Sequence, residues 1–158
     1  MPEVVVIDNS ANVARAIFSP QMIDASGNIT RAAFSLRHNE NYISVCLMNV
    51  MSWVDDVKSI PSNKDRELVG YAVLNAGDIR NQAFQYKKHH VTFDIVDKHS
   101  ENNKSHAGIF IYFDGEGLKG DRIGFFKPLP ANISASPFQL RVQGRLLKLA
   151  RQHFVRLT

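Results

Sequence analysis

The clearest alternation of apolar and polar positions is HHVTFDIVD, residues 89–97. Val91, Phe93 and Ile95 fall on one side, and His90, Thr92, Asp94 and Val96 on the other. A period of two is that of a half-buried strand. AGIFIYF (107–113) predicts a second strand, and the polar KHSENNKS (98–105) between them predicts an antiparallel pair with a long connection. Four more runs have strand length and composition: VVVI (4–7), VARAIF (13–18), YISVCLMNV (42–50) and LVGYAVLN (68–75). Turn signals separate them. Ser19-Pro20 closes the second run, ASGN (25–28) offers Gly27 for a positive φ, and RHNEN (37–41) and PSNKDRE (61–67) read as loops. ITRAAFSL (29–36) fits no single period.

Two stretches read as helix. Ser52 is a candidate N-cap with Asp55 at the capping-box position, which predicts a short helix over 52–60 burying Trp53, Val57 and Ile60. AGDIRNQAFQ (76–85) predicts a turn with one or two helical turns. The strongest helical signal is last: Ser136 as N-cap, Pro137 at N1, then FQLRVQGRLLKLARQHFVRL. Phe138, Val142, Leu146, Leu149 and His153, with Ala150, Phe154 and Leu157, form one face, and Arg141, Arg145, Lys148 and Gln152 an opposite stripe. Gly144 inside this run predicts a close approach to a sheet.

Strands without regular β-α alternation, closed by one strong helix, predict an α+β fold. The expected form is a single domain, 1–158, with a twisted, mainly antiparallel sheet and a long amphipathic C-terminal helix packed on it. Composition agrees: 158 residues with 44% hydrophobic and 22% charged are ordinary for a chain that buries a core. The one cysteine, Cys46, forbids an intrachain disulfide and reads as a small core residue. No run approaches the roughly 18–20 apolar residues that span a bilayer, and the N-terminus lacks the basic start of a signal peptide. A cytoplasmic protein with no membrane partner is expected. A net charge of +4 permits a polyanionic partner without requiring one.

Several local patterns look like chemistry and lead nowhere. His90, Asp94 and His106 would converge only if their strands pair in one register, and no zinc-ligand spacing is present. No metal site is expected. His90-Val-Thr-Phe matches one copy of the element that two-histidine phosphoesterases carry twice, and the second copy is missing. DGEGLKGD (114–121) lacks the later ligands of an EF-hand loop, and its G-x-G-x-x-G lacks the strand-to-helix setting of a dinucleotide fingerprint. No cofactor is implied. The stripe Arg141, Arg145, Lys148 could track phosphates, with Lys87-Lys88 as a second cluster. An amphipathic helix on a sheet must also show charges to water, which is the simpler reading.

One set of motifs runs in order along most of the chain: VARAIFSPQMIDASGNITRAAFSL (13–36), ISV (43–45), SHAGI (105–109) and the basic-apolar C-terminal run. It resembles a group of small bacterial proteins with an early Arg and Pro, G-x-[IV]-x-x-x-A-F, [LI]-S-V and [PS]-x-H-A-x-[IV]. No activity is attached to that group, so the resemblance implies positions and no reaction: Arg15, Phe34, Ser44 and His106. Arg15 and Ser44 sit between apolar strand residues, where an unpaired polar group costs about 1–3 kcal/mol. They are expected to cluster with His106 near the SHAG loop. Ser105, Tyr42 and Gly108 would be ligand contacts, Gly108 by admitting close backbone approach to an anion. An early-strand Arg and a later aromatic-x-Ser (Tyr42, Ser44) also resemble ADP-ribosyl-transfer and NAD-degrading folds. There the acidic residue would be a loop glutamate, with Glu40, Glu101 and Glu116 all open.

Two function classes stand. One is a non-enzymatic binding module, using the polar cluster or meeting a protein or nucleic-acid partner through the basic helix. The other is a small enzyme acting on a nucleotide or other phosphate-bearing ligand. In the enzyme, Arg15 binds the anion, His106 is the acid/base and Ser44 orients the substrate.

Overall fold

A computed structural model describes residues 6–35, 42–117, 135–150 and 153–157, and for Phe113, Glu116, Gly117 and residues 135–137 it describes the backbone alone. The strands are β1 (Asn12–Ser19), β2 (Tyr42–Leu47), β3 (Glu67–Asn75), β4 (Ala83–Tyr86), β5 (His89–Asp97), β6 (His106–Phe113), β7 (Glu116–Gly117) and β8 (Phe154–Arg156). The helices are α1 (Trp53–Lys58), α2 (Ala76–Arg80) and α3 (Ala135–Ala150), and a 3-10 turn spans Arg31–Phe34. All eight strands join one sheet in the order β4-β5-β6-β2-β1-β3-β8, with β7 on β6, and every pairing among the described residues is antiparallel.

This corrects the expected α+β form with a long C-terminal helix. The chain is mostly sheet and its helices are short. α3 ends at Ala150 instead of running through Leu157. His153 is exposed and off the helix, and residues 154–156 leave the helical path to pair with β3 through Gly70↔Arg156, Tyr71↔Val155 and Ala72↔Phe154. The open edge of β3 offers backbone partners that win over continued helix. Gly70 makes room: a Cβ there would lie 2.3 Å from the Val155 carbonyl oxygen and 2.7 Å from the Phe154 ring. Gly70→Ala is therefore expected to unlatch β8 and cost about 2 kcal/mol in urea unfolding. Hydrogen exchange confined to 67–75 and 153–157 would show it, and unchanged protection there would refute it.

One face of the sheet carries the main core. Val91, Phe93 and Ile95 of β5 meet Ile109 and Ile111 of β6 and Ile43 and Val45 of β2 under Phe138, Val142, Leu146 and Ala150 of α3. Phe138 sits 6.0 Å from Phe84 and 5.0 Å from Tyr86, ring to ring. The other face has a smaller core of Ala14, Ala16, Phe18, Cys46 and Val57 beneath α1. The helix expected over 52–60 is shorter, ending at Lys58; of the three residues expected inside, Val57 is buried, Trp53 is half-buried, and Ile60, beyond the helix, is half-buried too.

Other expectations shift locally. Residues 4–5 of the VVVI run, RHNEN (37–41), most of the 114–134 region and the side chains of the Ser136 and Pro137 caps lie outside what is described. Val6 and Ile7 are not in a strand. Gly144 does not touch the sheet: its nearest outside neighbour is Arg31 Nε of the 3-10 turn, which would lie 3.8 Å from an added Cβ. Gly27 does adopt the positive φ expected of it, +86°.

Candidate functional site

β1 and β2 pair for only two residues, Val13↔Leu47 and Ala14↔Cys46. Beyond that each strand follows its other neighbour. β1 stays with β3 to Ser19, shifting register between Ile17 and Phe18, and β2 stays with β6 to Tyr42. The sheet therefore forks. Arg15 stands in the fork, its Nε donating to the Ala33 carbonyl at 2.8 Å and its Nη1 to the Ser44 carbonyl at 2.8 Å. A rigid planar group with several donors can serve two acceptors at once, and here it bridges the 3-10 turn to β2 where the ladder has ended.

A cavity of about 310 Å³ opens at the fork. Arg15, Tyr42, Ser44, Asn103 and His106 give it polar groups, and Phe18, Met22, Cys46 and Ile60 give it an apolar floor. His106 lies across from Cys46, one diagonal step from Ser44, and its Nε2 is 3.2 Å from Ser44 Oγ. The Tyr42 ring is 5.8 Å from the imidazole and stacks on Phe110 at 5.1 Å. Lys98 Nζ sits 5.4 Å from the Tyr42 centroid, within cation–π range. The guanidinium, hydroxyl and imidazole that the sequence scatters over 15–106 thus share one cavity.

Two expected ligand contacts are placed differently. Ser105 is fully buried and does not line the cavity. Its hydroxyl donates to Asp56 Oδ2 at 2.6 Å, its N–H donates to the same oxygen at 3.1 Å, and its carbonyl accepts from Leu47 N–H at 2.7 Å. Gly108 pairs with Ser44 on one side and Val96 on the other, so its backbone belongs to the ladders and forms no anion nest. The close approach it permits is that of the Tyr42 ring, whose Cδ2 would lie 2.6 Å from an added Cβ.

Sequence reasoning misses Asp56 and Asn103. Asp56 anchors Ser105, the residue just before β6 and His106, and also accepts from Ser52 Oγ at 3.0 Å. Ser52 makes no side-chain cap bond to the helix backbone; the capping-box pattern selects Asp55, one residue early. Burial pushes the Asp56 carboxyl up, but the hydrogen bonds from Ser105 and Ser52 and the Lys104 charge outweigh it and hold it below its ordinary value. Cys46 is shifted the other way. Burial pushes its thiol up, with Ser105 and Arg15 only partly opposing, so it stays protonated at neutral pH. Asn103 lines the cavity, and its Oδ1 is buried with no hydrogen-bond partner among the described residues.

The remaining candidates lie apart. His90 contacts Gln85 at 3.0 Å and Asp94 pairs with Arg80 at 2.7 Å, so neither joins His106. No group of three metal-ligating side chains occurs among the described residues. Among the candidate glutamates, Glu101 is exposed, Glu116 falls in β7 and Glu40 lies outside the described residues; no carboxylate is among the described cavity-lining residues. Arg141, Arg145 and Lys148 line a separate groove on α3. No helix among the described residues is long and apolar enough to cross a membrane. Comparison with known proteins returns no matching family model, curated protein or solved structure.

Proposed function

We propose that this protein is a cytoplasmic small-ligand binding module whose ligand enters the fork between β1 and β2. The observation that carries this reading is the fork itself: two strands part after Ala14 and Cys46, and the space between them is lined by His106, Ser44 and Tyr42. The ligand class follows from the lining. The polar lining is of hydroxyls, an imidazole and an amide, lining carboxylates are absent among the described residues, and Lys98 lies near the Tyr42 ring. A compact molecule with a planar ring against Tyr42 and a carboxylate or phosphate toward His106 and Ser44 complements it. A donor on the ligand, such as an amine or hydroxyl, would satisfy Asn103 Oδ1. Arg15 acts here as the clamp of the fork, because its Nε and Nη1 donate to backbone carbonyls on two different elements.

Thermal-shift titration with NAD, adenine nucleotides, aromatic carboxylates and inorganic phosphate tests the reading. A true ligand at 100 times its Kd adds about 2.7 kcal/mol and raises Tm by several degrees. His106→Ala should remove that shift while melting near wild type without ligand. A panel in which no compound moves Tm, or a shift that survives His106→Ala and Ser44→Ala, would discard the fork as the binding site.

The His106–Ser44 contact of 3.2 Å is the one feature that favours an enzyme instead. Under that reading His106 takes a proton from a water beside Ser44, the water oxygen bonds to the electrophilic atom of a nucleotide in the fork, the bond to the leaving group breaks, and the imidazolium returns its proton to that group. Chromatographic detection of a cleaved nucleotide, lost in both His106→Ala and Ser44→Ala, would replace the module with the enzyme.

A further inference from the structure

A second concavity, of about 430 Å³, lies on the outer side of α3, where the helix meets the 3-10 turn and Gln82 ahead of β4. Arg31, Arg141, Arg145 and Lys148 line it, and no carboxylate does among the described residues. The ion pairs among the described residues are Arg80–Asp94, His89–Asp114 and His99–Asp97, so none of these four cations is neutralised by them. Four like charges around one groove repel one another, and an anion relieves that repulsion.

Two of the cations are already positioned. Arg141 lies 4.5 Å from the Phe84 ring centroid and donates through Nη1 to the Gln85 carbonyl at 2.7 Å. Arg145 lies 5.1 Å from the same ring and donates through Nη1 to Gln82 Oε1 at 3.3 Å. Each bond uses one of the five N–H donors of a guanidinium, leaving others for a ligand. The side-chain entropy that an anion would otherwise have to overcome is thereby reduced.

The spacing points to a chain of anions. At 1.5 Å rise per residue, Arg141 and Lys148 are about 10 Å apart along α3, too far for one phosphate to touch both. One nucleic-acid strand presents a phosphate roughly every 3.4 Å along a stacked helix, so about three fit this length. A flat lipid surface suits the groove less well. Leu140 is the one exposed large hydrophobic residue along it, where a membrane-binding helix presents an apolar face. We propose that this groove binds the phosphodiester backbone of a nucleic-acid strand through Arg31, Arg141, Arg145 and Lys148, without reading its sequence.

Fluorescence anisotropy with labelled single-stranded oligonucleotides of differing sequence tests it on the full chain. Counterion release by about three phosphates of a single strand predicts a log–log salt slope near −2, hence roughly 20-fold weaker binding at 200 mM than at 50 mM salt. Arg31→Gln and Lys148→Gln should each weaken binding and flatten the slope by about 0.7. Both residues are exposed, so these variants should melt with the wild type. His106→Ala, in the fork, should bind the oligonucleotide unchanged, which separates this site from the small-ligand reading. A slope near zero, variants that bind like wild type, or anionic phosphatidylserine vesicles captured in place of the oligonucleotide would each overturn the proposal. So would inorganic phosphate binding with the same salt slope as the strand.

Discussion

Arg15→Met is expected to lower the unfolding free energy by about 3 kcal/mol, since hydrogen bonds from a charged donor contribute about 1.5–3 kcal/mol each and two are lost. The variant keeps a side chain of similar length in the half-buried position but removes the donors to the Ala33 and Ser44 carbonyls. Those carbonyls belong to different elements, the 3-10 turn and β2, so both lose their tie to β1. Water reaching the fork would recover part of the loss, which is why the sum is set near the lower limit. Arg15→Lys is the sharper comparison. A single ammonium on a flexible stem cannot reproduce two directed bonds from one plane, so it should recover less than half of the deficit. Urea denaturation at neutral pH reads both. A Met variant costing under 1 kcal/mol, or a Lys variant as stable as wild type, would show that the fork holds itself open without the guanidinium.

Asp56→Ala should cost a similar amount, about 3 kcal/mol, because the buried Ser105 loses the acceptor of both its hydroxyl and its N–H. Its pH behaviour has a definite sign. The Asp56 carboxyl sits below its ordinary value in the folded protein. The resulting stabilisation is complete above the unfolded value of about 3.9, and is lost as pH falls through the folded one. Wild type should therefore lose more stability between pH 5 and pH 3 than Asp56→Asn, whose amide does not titrate there. Parallel urea midpoints for the two proteins across that window would dissolve the network. Because Ser105 precedes His106, Asp56→Ala should also loosen the His106–Ser44 contact and weaken any ligand held in the fork.

Much of the sheet can be read from spacing. β5 is legible because Val91, Phe93 and Ile95 alternate with polar residues over nine positions, long enough for a period of two to stand out. β4 is not: AFQY is four residues, set among the polar residues that follow a short helix. β8 is hidden because its three residues continue the apolar spacing of α3. Over so short a span, periods of 2.0 and 3.6 cannot be told apart, and only the open edge of β3 decides between them.

The site shows the same division. Arg15 and Ser44 are conspicuous as polar residues inside apolar runs, and a strand interior rarely tolerates such residues without partners. Asp56 carries a weaker signal, since an acidic residue in the first turn of a helix is ordinary and the capping pattern points to its neighbour. Arg31 gives none, because it becomes a groove residue only when the 3-10 turn is laid against α3.

The local character of several segments was written into the order of residues: that most of the longer apolar runs would be strands, which face of β5 would be buried, and which polar residues would need partners. Those properties depend on near neighbours and on the fixed geometry of helix and strand. It took the folded arrangement to settle where β1 and β2 stop pairing, what lines the gap, and that α3 gives way to a strand after Ala150. Each of these is a competition between backbone partners far apart in the chain, Ser44 with Gly108 or Gly70 with Arg156, and no local period records which partner wins.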